Sequence, residues 1–230
     1  VCATSAATAC GPVGDASAVN VPDSMLNGQT VCADSASASA CAGGDCSGCT
    51  STAAGAGIAS DFIVFVTAVD ASAGSYCGGS TLAYASICQR DQFDRPVMGH
   101  VNFCPSQVST AEADFGEQLD TAVHELLHAL GFDATSWALF READGTPRTA
   151  RDSSTGLPTP TASYTCPDGA VVSNAYVPDA NTLIVGTQRG VAVHKLVTPR
   201  VVSVARDLLG CDSIDGAELE NQPTTAGGRY

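Results

Sequence analysis

Between Leu119 and Leu130 the apolar residues recur at helical spacing. Leu119, Ala122, Val123, Leu126, Leu127 and Leu130 make one apolar stripe, the signature of an amphipathic helix. Ser109 followed by Glu112 has the spacing of a capping box for an earlier start. Gly131 stands where a helix C-cap glycine belongs. No other element in the chain is as long or as well specified, so a fold must be built around it.

What precedes the helix has the period of strands. Asp61 to Val69 is a run of β-branched and aromatic residues and reads as a buried strand. Leu82 to Cys88 is a second strand. In the third, Val97 to Phe103, Val97, Gly99, Val101 and Phe103 alternate with Met98, His100 and Asn102, as in a strand with two unlike faces. Pro96 and Pro105 bracket it, and proline suits a strand end or a sheet edge; this strand is expected at an edge, where an extended peptide could add to it. After the helix, residues 133–195 are loop-rich with scattered prolines. Short strands are expected at Asn181 to Val185 and Val191 to His194. Thr198-Pro199 supplies an N-cap and N1 pair for a second helix that runs to Gly210. The chain thus divides into a Cys-rich, loop-rich part (1–60), a sheet with the first helix (61–132), and a third part (133–230) holding an insertion and the second helix.

Composition narrows the setting. Ten basic residues stand against 24 acidic ones, a formal net charge of −14. Such a surface repels phosphate backbones, so no nucleic-acid partner is expected. Eleven cysteines dispersed through a Ser/Thr/Gly-rich chain read as disulfides and an oxidising, extracellular or cell-surface compartment. Cys46-Ser-Gly-Cys49 is expected to be a disulfide-pinned loop rather than a zinc knuckle, which would want a second cysteine pair. The odd count means one free thiol or a partner outside the chain. The chain opens on Val1-Cys2 without an apolar leader, so a targeting segment is expected to have been removed or omitted.

The chemistry lies on the first helix. His124-Glu-Leu-Leu-His128 puts two imidazoles one turn apart on one face, where their ring nitrogens can hold one zinc ion. Glu125 is rotated about 100° from His124. It can reach a metal-bound water and act as general base in hydrolysis of a peptide bond. Two solvated histidines on a polar helix face would be the plain alternative.

Gly131 extends the motif to HExxHxxG, the metzincin arrangement, in which a third histidine usually follows three residues after the glycine. That position here is Ala134. At this point the chain resembles the leishmanolysin family of peptidases. HELLHALGF is similar to that family's active-site helix, and DFIVFVTA (61–68), LAYASICQ (82–89), RPVMGHVNFCP (95–105), VTPRVVSVARDLLGC (197–211) and GAELENQ (216–222) match its pattern. The resemblance covers residues 58–132 and 195–230 well, and residues 1–57 loosely. It implies a mixed α/β (α+β) zincin fold with a twisted mixed sheet above the active-site helix and an insertion after the helix glycine. It also implies zinc as cofactor, His124 and His128 as metal ligands, Glu125 as catalytic base and a polypeptide as substrate.

The family's third histidine follows a glycine-rich stretch, whereas this chain stops at Gly227-Gly228-Arg229-Tyr230, and its only methionines, Met25 and Met98, precede the helix. The expectation is therefore a segment of a longer secreted zinc endopeptidase whose third ligand lies just beyond Tyr230, with Tyr230 near the histidine pair. His194, His100, Glu142 and Cys10 are weaker candidates for that ligand. The rival function is a catalytically silent extracellular structural or adhesion protein on the same fold.

Overall fold

The computed structural model describes residues 2–3, 9–12, 14–25, 29–32, 47–53, 55–70, 76–161, 163–165, 171–172, 175–188 and 191–219. Cys41, Cys46, Cys166 and the tail from 220 to Tyr230 lie outside them, as does the expected approach of Tyr230 to the histidines. The chain divides into two compact units, Val1–Gly131 and Phe132–Tyr230.

The first unit opens with short pairings. β1 (Cys2–Ala3) runs parallel to β4 (Gln29–Cys32), which pairs antiparallel with β5 (Cys49–Thr52); β2 (Ala9–Cys10) pairs antiparallel with β3 (Val19–Asn20). The sheet that positions the site follows. β6 (Ile63–Ala68), β7 (Ala83–Arg90) and β8 (Pro96–Phe103) stand in the order β6-β8-β7, with β6 parallel and β7 antiparallel to β8. The sheet is mixed, as expected, but β8 is its central strand rather than an edge. Ile63 to Ala68 pair with Met98 to Phe103 on one side, and Ala83 to Arg90 pair with Phe103 back to Pro96 on the other. Pro96 is the first residue of the strand, a position where a missing N–H is tolerated.

The alternation in β8 gives two unlike faces, and neither is solvated. Residues 98–102 are all buried, and the polar ones are engaged. His100 Nε2 lies 3.0 Å from the Ser17 carbonyl and 2.9 Å from Thr67 Oγ1. A carbonyl can only accept, so Nε2 carries the proton. Thr67 in turn donates to Asn102 Oδ1 at 2.8 Å, and Asn102 Nδ2 donates to the Val69 carbonyl at 3.0 Å. Buried polar groups survive when satisfied in this way, and the network ties the N-terminal segment to the sheet. Disulfides reinforce the same region: Cys10 to Cys88, and Cys77 to Cys104.

α1 (Phe115–Ala129) packs on β7 and β8. Its entry differs from a capping box. A 3₁₀ turn, Glu112–Asp114, leads in, and Asp114 is the N-cap without a side-chain hydrogen bond. Gln118 reaches back instead: its Oε1 accepts from the Ser109 N–H and its Nε2 donates to the Ser109 carbonyl, both at 3.0 Å. Gly131, at φ 116°, follows the C-cap Leu130 and turns the chain, as a glycine at that position can.

The face that α1 turns to the sheet is small and polar. Glu125 and Ala129 are its buried residues, while Leu119 and Val123 are each 50% exposed. The contact is close at one point: a Cβ at Gly99 of β8 would lie 3.0 Å from Ala129 Cβ. The apolar stripe that predicts the helix is therefore not the face that meets the sheet.

In the second unit a 3₁₀ turn, Trp137–Leu139, is buried, with Trp137 set edge-on to Phe132 and Phe140. Arg148 bonds Glu142 at 2.6 Å and Thr182 at 3.2 Å, so Glu142 is held in a structural ion pair. Two short strands, β9 (Tyr164–Thr165) and β10 (Val171–Val172), pair antiparallel. β11 (Leu183–Gln188) and β12 (Val191–Leu196) pair antiparallel, reaching further than the strands expected at 181–185 and 191–194. α2 (Pro199–Leu209) begins with Pro199 after Thr198, which caps by backbone position without a side-chain bond, and it ends on Gly210 at φ 60°. The Cys211 N–H then closes onto the Arg206 carbonyl at 3.1 Å. β13 (Ala217–Glu218) joins the outer side of β12. No helix among the described residues is long and apolar enough to cross a membrane.

Candidate active site

α1 places His124 and His128 on successive turns. Their Nε2 atoms are 3.0 Å apart and the rings meet edge-to-face, with centroids 4.6 Å apart. Both nitrogens therefore converge on one small volume beside the helix. Glu125, next along the helix, turns inward and keeps only 9% of its surface. With His124 it lines an open groove of about 820 Å³ that runs along α1 towards its N-terminal end. The facing wall is Ser80 to Ala83, the entry to β7, and the α1 wall continues through Thr121, Asp120 and Glu117 to Gly116. The outer strand beside the site is thus β7, and β8 lies behind it.

The donor set can be tested against a metal ion. Zinc held tetrahedrally by two imidazoles at about 2.0–2.1 Å brings their nitrogens about 3.3 Å apart. The observed 3.0 Å needs only a small opening of the two rings, so the pair suits two positions of such a site. Among the described residues, no group of three or more His, Cys, Asp or Glu side chains converges to hold a metal.

The weaker candidates have other surroundings. His100 is fully buried in β8 and bonded as described above; burial pushes its pKa below the ordinary histidine value, although the Ser17 bond and the nearby Asp15 act in the opposite direction. His194 is buried in β12 of the second unit, and burial lowers its pKa too. Cys10 is bonded to Cys88, and Cys49 of the CxxC is also disulfide-bonded. Sequence reasoning missed the groove residues Asp120 and Glu117. The signal was present in their spacing: four and seven residues before His124, they share its helix face.

The family model described as Leishmanolysin, peptidase M8, matches residues 35–228 of the chain. The chain belongs to the leishmanolysin family of peptidases. The match extends further towards the N-terminus than the motifs alone suggest. Among relatives, a leishmanolysin-like peptidase of Caenorhabditis elegans is 40% identical over 174 residues, covering 70% of this chain and 24% of the relative. That of Drosophila melanogaster is 35% identical over 220 residues, 94% of this chain and 30% of the relative. A ciliated left-right organizer metallopeptidase of Homo sapiens is 35% identical over 65 residues, 28% of this chain and 8% of the relative. The chain therefore spans about a quarter to a third of the length of these two leishmanolysin-like peptidases. Membership in this metallopeptidase family implies a metal cofactor.

Proposed function

We propose that the protein of which this chain forms part is a zinc-dependent endopeptidase of the zincin fold, with its active site on α1. The observation that carries the reading is the convergence of His124 and His128 Nε2 beside a buried Glu125, at the side of a groove open to a polypeptide. His124 and His128 would hold zinc, and a third ligand comes from outside the described residues. When bound, zinc polarises a peptide carbonyl and makes water acidic enough to attack at neutral pH.

The chain's own groups do the rest. Glu125 takes the proton of the attacking water and returns it to the departing amine. Its burial keeps the carboxylate in place and strengthens its interaction with a nearby proton donor. An extended substrate lies in the groove against β7, the outer strand, with main-chain hydrogen bonds supplying affinity. The disulfides Cys10–Cys88 and Cys77–Cys104 support an oxidising, extracellular setting.

The deciding experiment is Glu125→Gln in the full-length protein. It should lose peptidase activity by at least about 10²-fold, the lower range for general acid–base catalysis, while zinc is retained. Activity near that of the wild type would remove Glu125 from the mechanism.

A further inference from the structure

β8 meets α1 at Gly99, and His100, the next residue, points to the opposite face of the sheet. There it holds the N-terminal segment. The ring has no exposed surface; its Nε2–H goes to the Ser17 carbonyl at 3.0 Å, with Thr67 Oγ1 at 2.9 Å. Nδ1 is buried and has no hydrogen-bond partner among the described residues. A Cβ on Gly11 would lie 3.4 Å from it, so the ring is enclosed by the segment it binds. The charged or titratable groups around it are Asp15 and Tyr84. The Tyr84 hydroxyl bonds Asp15 Oδ1 at 2.9 Å and Ser17 Oγ at 3.0 Å, and Asp15 Oδ1 also accepts from the Ser17 N–H at 2.8 Å. Burial acts to raise the Asp15 pKa, but the bonds from Ser17 and Tyr84 hold it below the ordinary carboxylate value. Asp15 therefore stays charged between pH 7 and 5.

We propose that His100 is an acid-sensitive latch: protonation at Nδ1 releases residues 14–19 from the sheet, while the Cys10–Cys88 disulfide keeps them tethered. The latch lies apart from the catalytic groups and works whether or not the site cleaves peptides. Protonation adds a positive charge and an N–H at Nδ1, where neither Asp15 oxygen is bonded. Burying both without an acceptor is costly. Once the segment lifts, a solvated histidine takes the proton at an ordinary pKa of about 6.5. The open form thus gains a proton that the closed form refuses, and acid shifts the balance towards it. Release also reaches the groove. Tyr84 directly follows Ser80 to Ala83, the wall facing α1, and loses both hydroxyl partners when the segment leaves. Acid thereby loosens that wall.

Hydrogen exchange of the full-length protein, corrected for the intrinsic pH dependence of amide exchange, tests the latch. Peptides covering residues 14–20 should exchange while those of β6 and β8 are still protected. Between pH 7 and 5 their opening equilibrium should rise about five- to twenty-fivefold. An open-state pKa of about 6.5 and a closed form that takes no proton set the upper value. His100→Gln presents an amide N–H to Ser17 and cannot be charged, so it should keep the segment docked and remove the rise. Tyr84→Phe, which leaves His100 in place, serves if the glutamine variant does not fold. It should raise exchange by the same factor at both pH values and leave the rise intact. Exchange of the segment at the same rate as β6 and β8 would show that only global unfolding frees it. Protection that stays constant or increases on acidification would show that Asp15 accommodates the new charge. Either result overturns the latch, as does a rise that persists in His100→Gln or vanishes in Tyr84→Phe.

Discussion

Replacing Gly99 by alanine should move the active-site helix without touching any residue proposed to act in catalysis. A Cβ at this position would lie 3.0 Å from Ala129 Cβ, 3.0 Å from Phe62 Cζ and 3.3 Å from the Ser86 carbonyl. Carbon atoms prefer separations of about 3.5–4.0 Å. Phe62 can swing aside, but Ala129 has no rotamer to change and the Ser86 carbonyl belongs to the ladder. Relief must come from α1 lifting off β8 by roughly 0.5 Å, the gap between the contact and its preferred distance. Overpacking of this kind costs about 1–3 kcal/mol, which lowers the melting temperature of a domain this size by several degrees. Because α1 carries His124, Glu125 and His128, the lift also misplaces the site. If 1 Å costs about 10²-fold in rate, half of that predicts about a tenfold fall in kcat/KM. Thermal unfolding and peptide turnover of the full-length variant are the assays. Adding Ala129→Gly to Gly99→Ala should recover part of the turnover, because the clash on the helix is then gone. A Gly99→Ala protein with unchanged melting temperature and unchanged kcat/KM would refute the proposed control of helix position.

Two further outcomes follow from buried and bonded groups. His100 and His194 are both held below the ordinary histidine pKa by burial. Above about pH 6.5 both states are neutral; as pH falls from there through the folded-state values, the unfolded chain binds protons that the folded one refuses, so stability declines. Asp15 and the ring of Tyr84 are the groups beside His100, and His100→Gln should flatten the decline measured by urea unfolding between pH 7 and 5. Thiol titration of the denatured, unreduced protein should find few free thiols, with Cys211, exposed and unbonded among the described cysteines, labelled first in the native state. Reaction of most of the eleven cysteines would place the protein in a reducing compartment.

The sequence makes some features legible because a single local signal sets them. The i, i+4 histidines and the glycine at 131 mark α1 and its end, since helical period and a positive-φ residue are properties of the segment itself. Pro199 and Gly210 mark α2 for the same reason. Strand order was not legible. The prolines at 96 and 105 suggested an edge, but they flank the ladder of β8 without interrupting it, and pairing with β6 and β7 is a long-range choice. The alternation in β8 marks two unlike faces, but no local rule shows that Ser17 and Thr67, distant in sequence, will receive His100. The capping box does not form, because Gln118, nine residues beyond Ser109, takes the Ser109 N–H that Glu112 would have capped. The apolar stripe of α1 was read correctly as helical. Which face meets the sheet was decided by close approach at Gly99 and Ala129, where only small residues fit. The groove became visible only once β7 lay beside the helix, although the spacing of Glu117, Asp120 and His124 was already in the sequence.

The central claim is that His124 and His128 hold a metal for Glu125 to work beside. Elemental analysis of the full-length protein, purified without chelators, tests it most directly when made on the wild type and on a His124→Ala, His128→Ala variant side by side. The account predicts about one zinc per wild-type molecule, as in a catalytic site with one ion, and almost none in a folded variant. Zinc retained by the variant at the wild-type level, or none in the wild type, would contradict it.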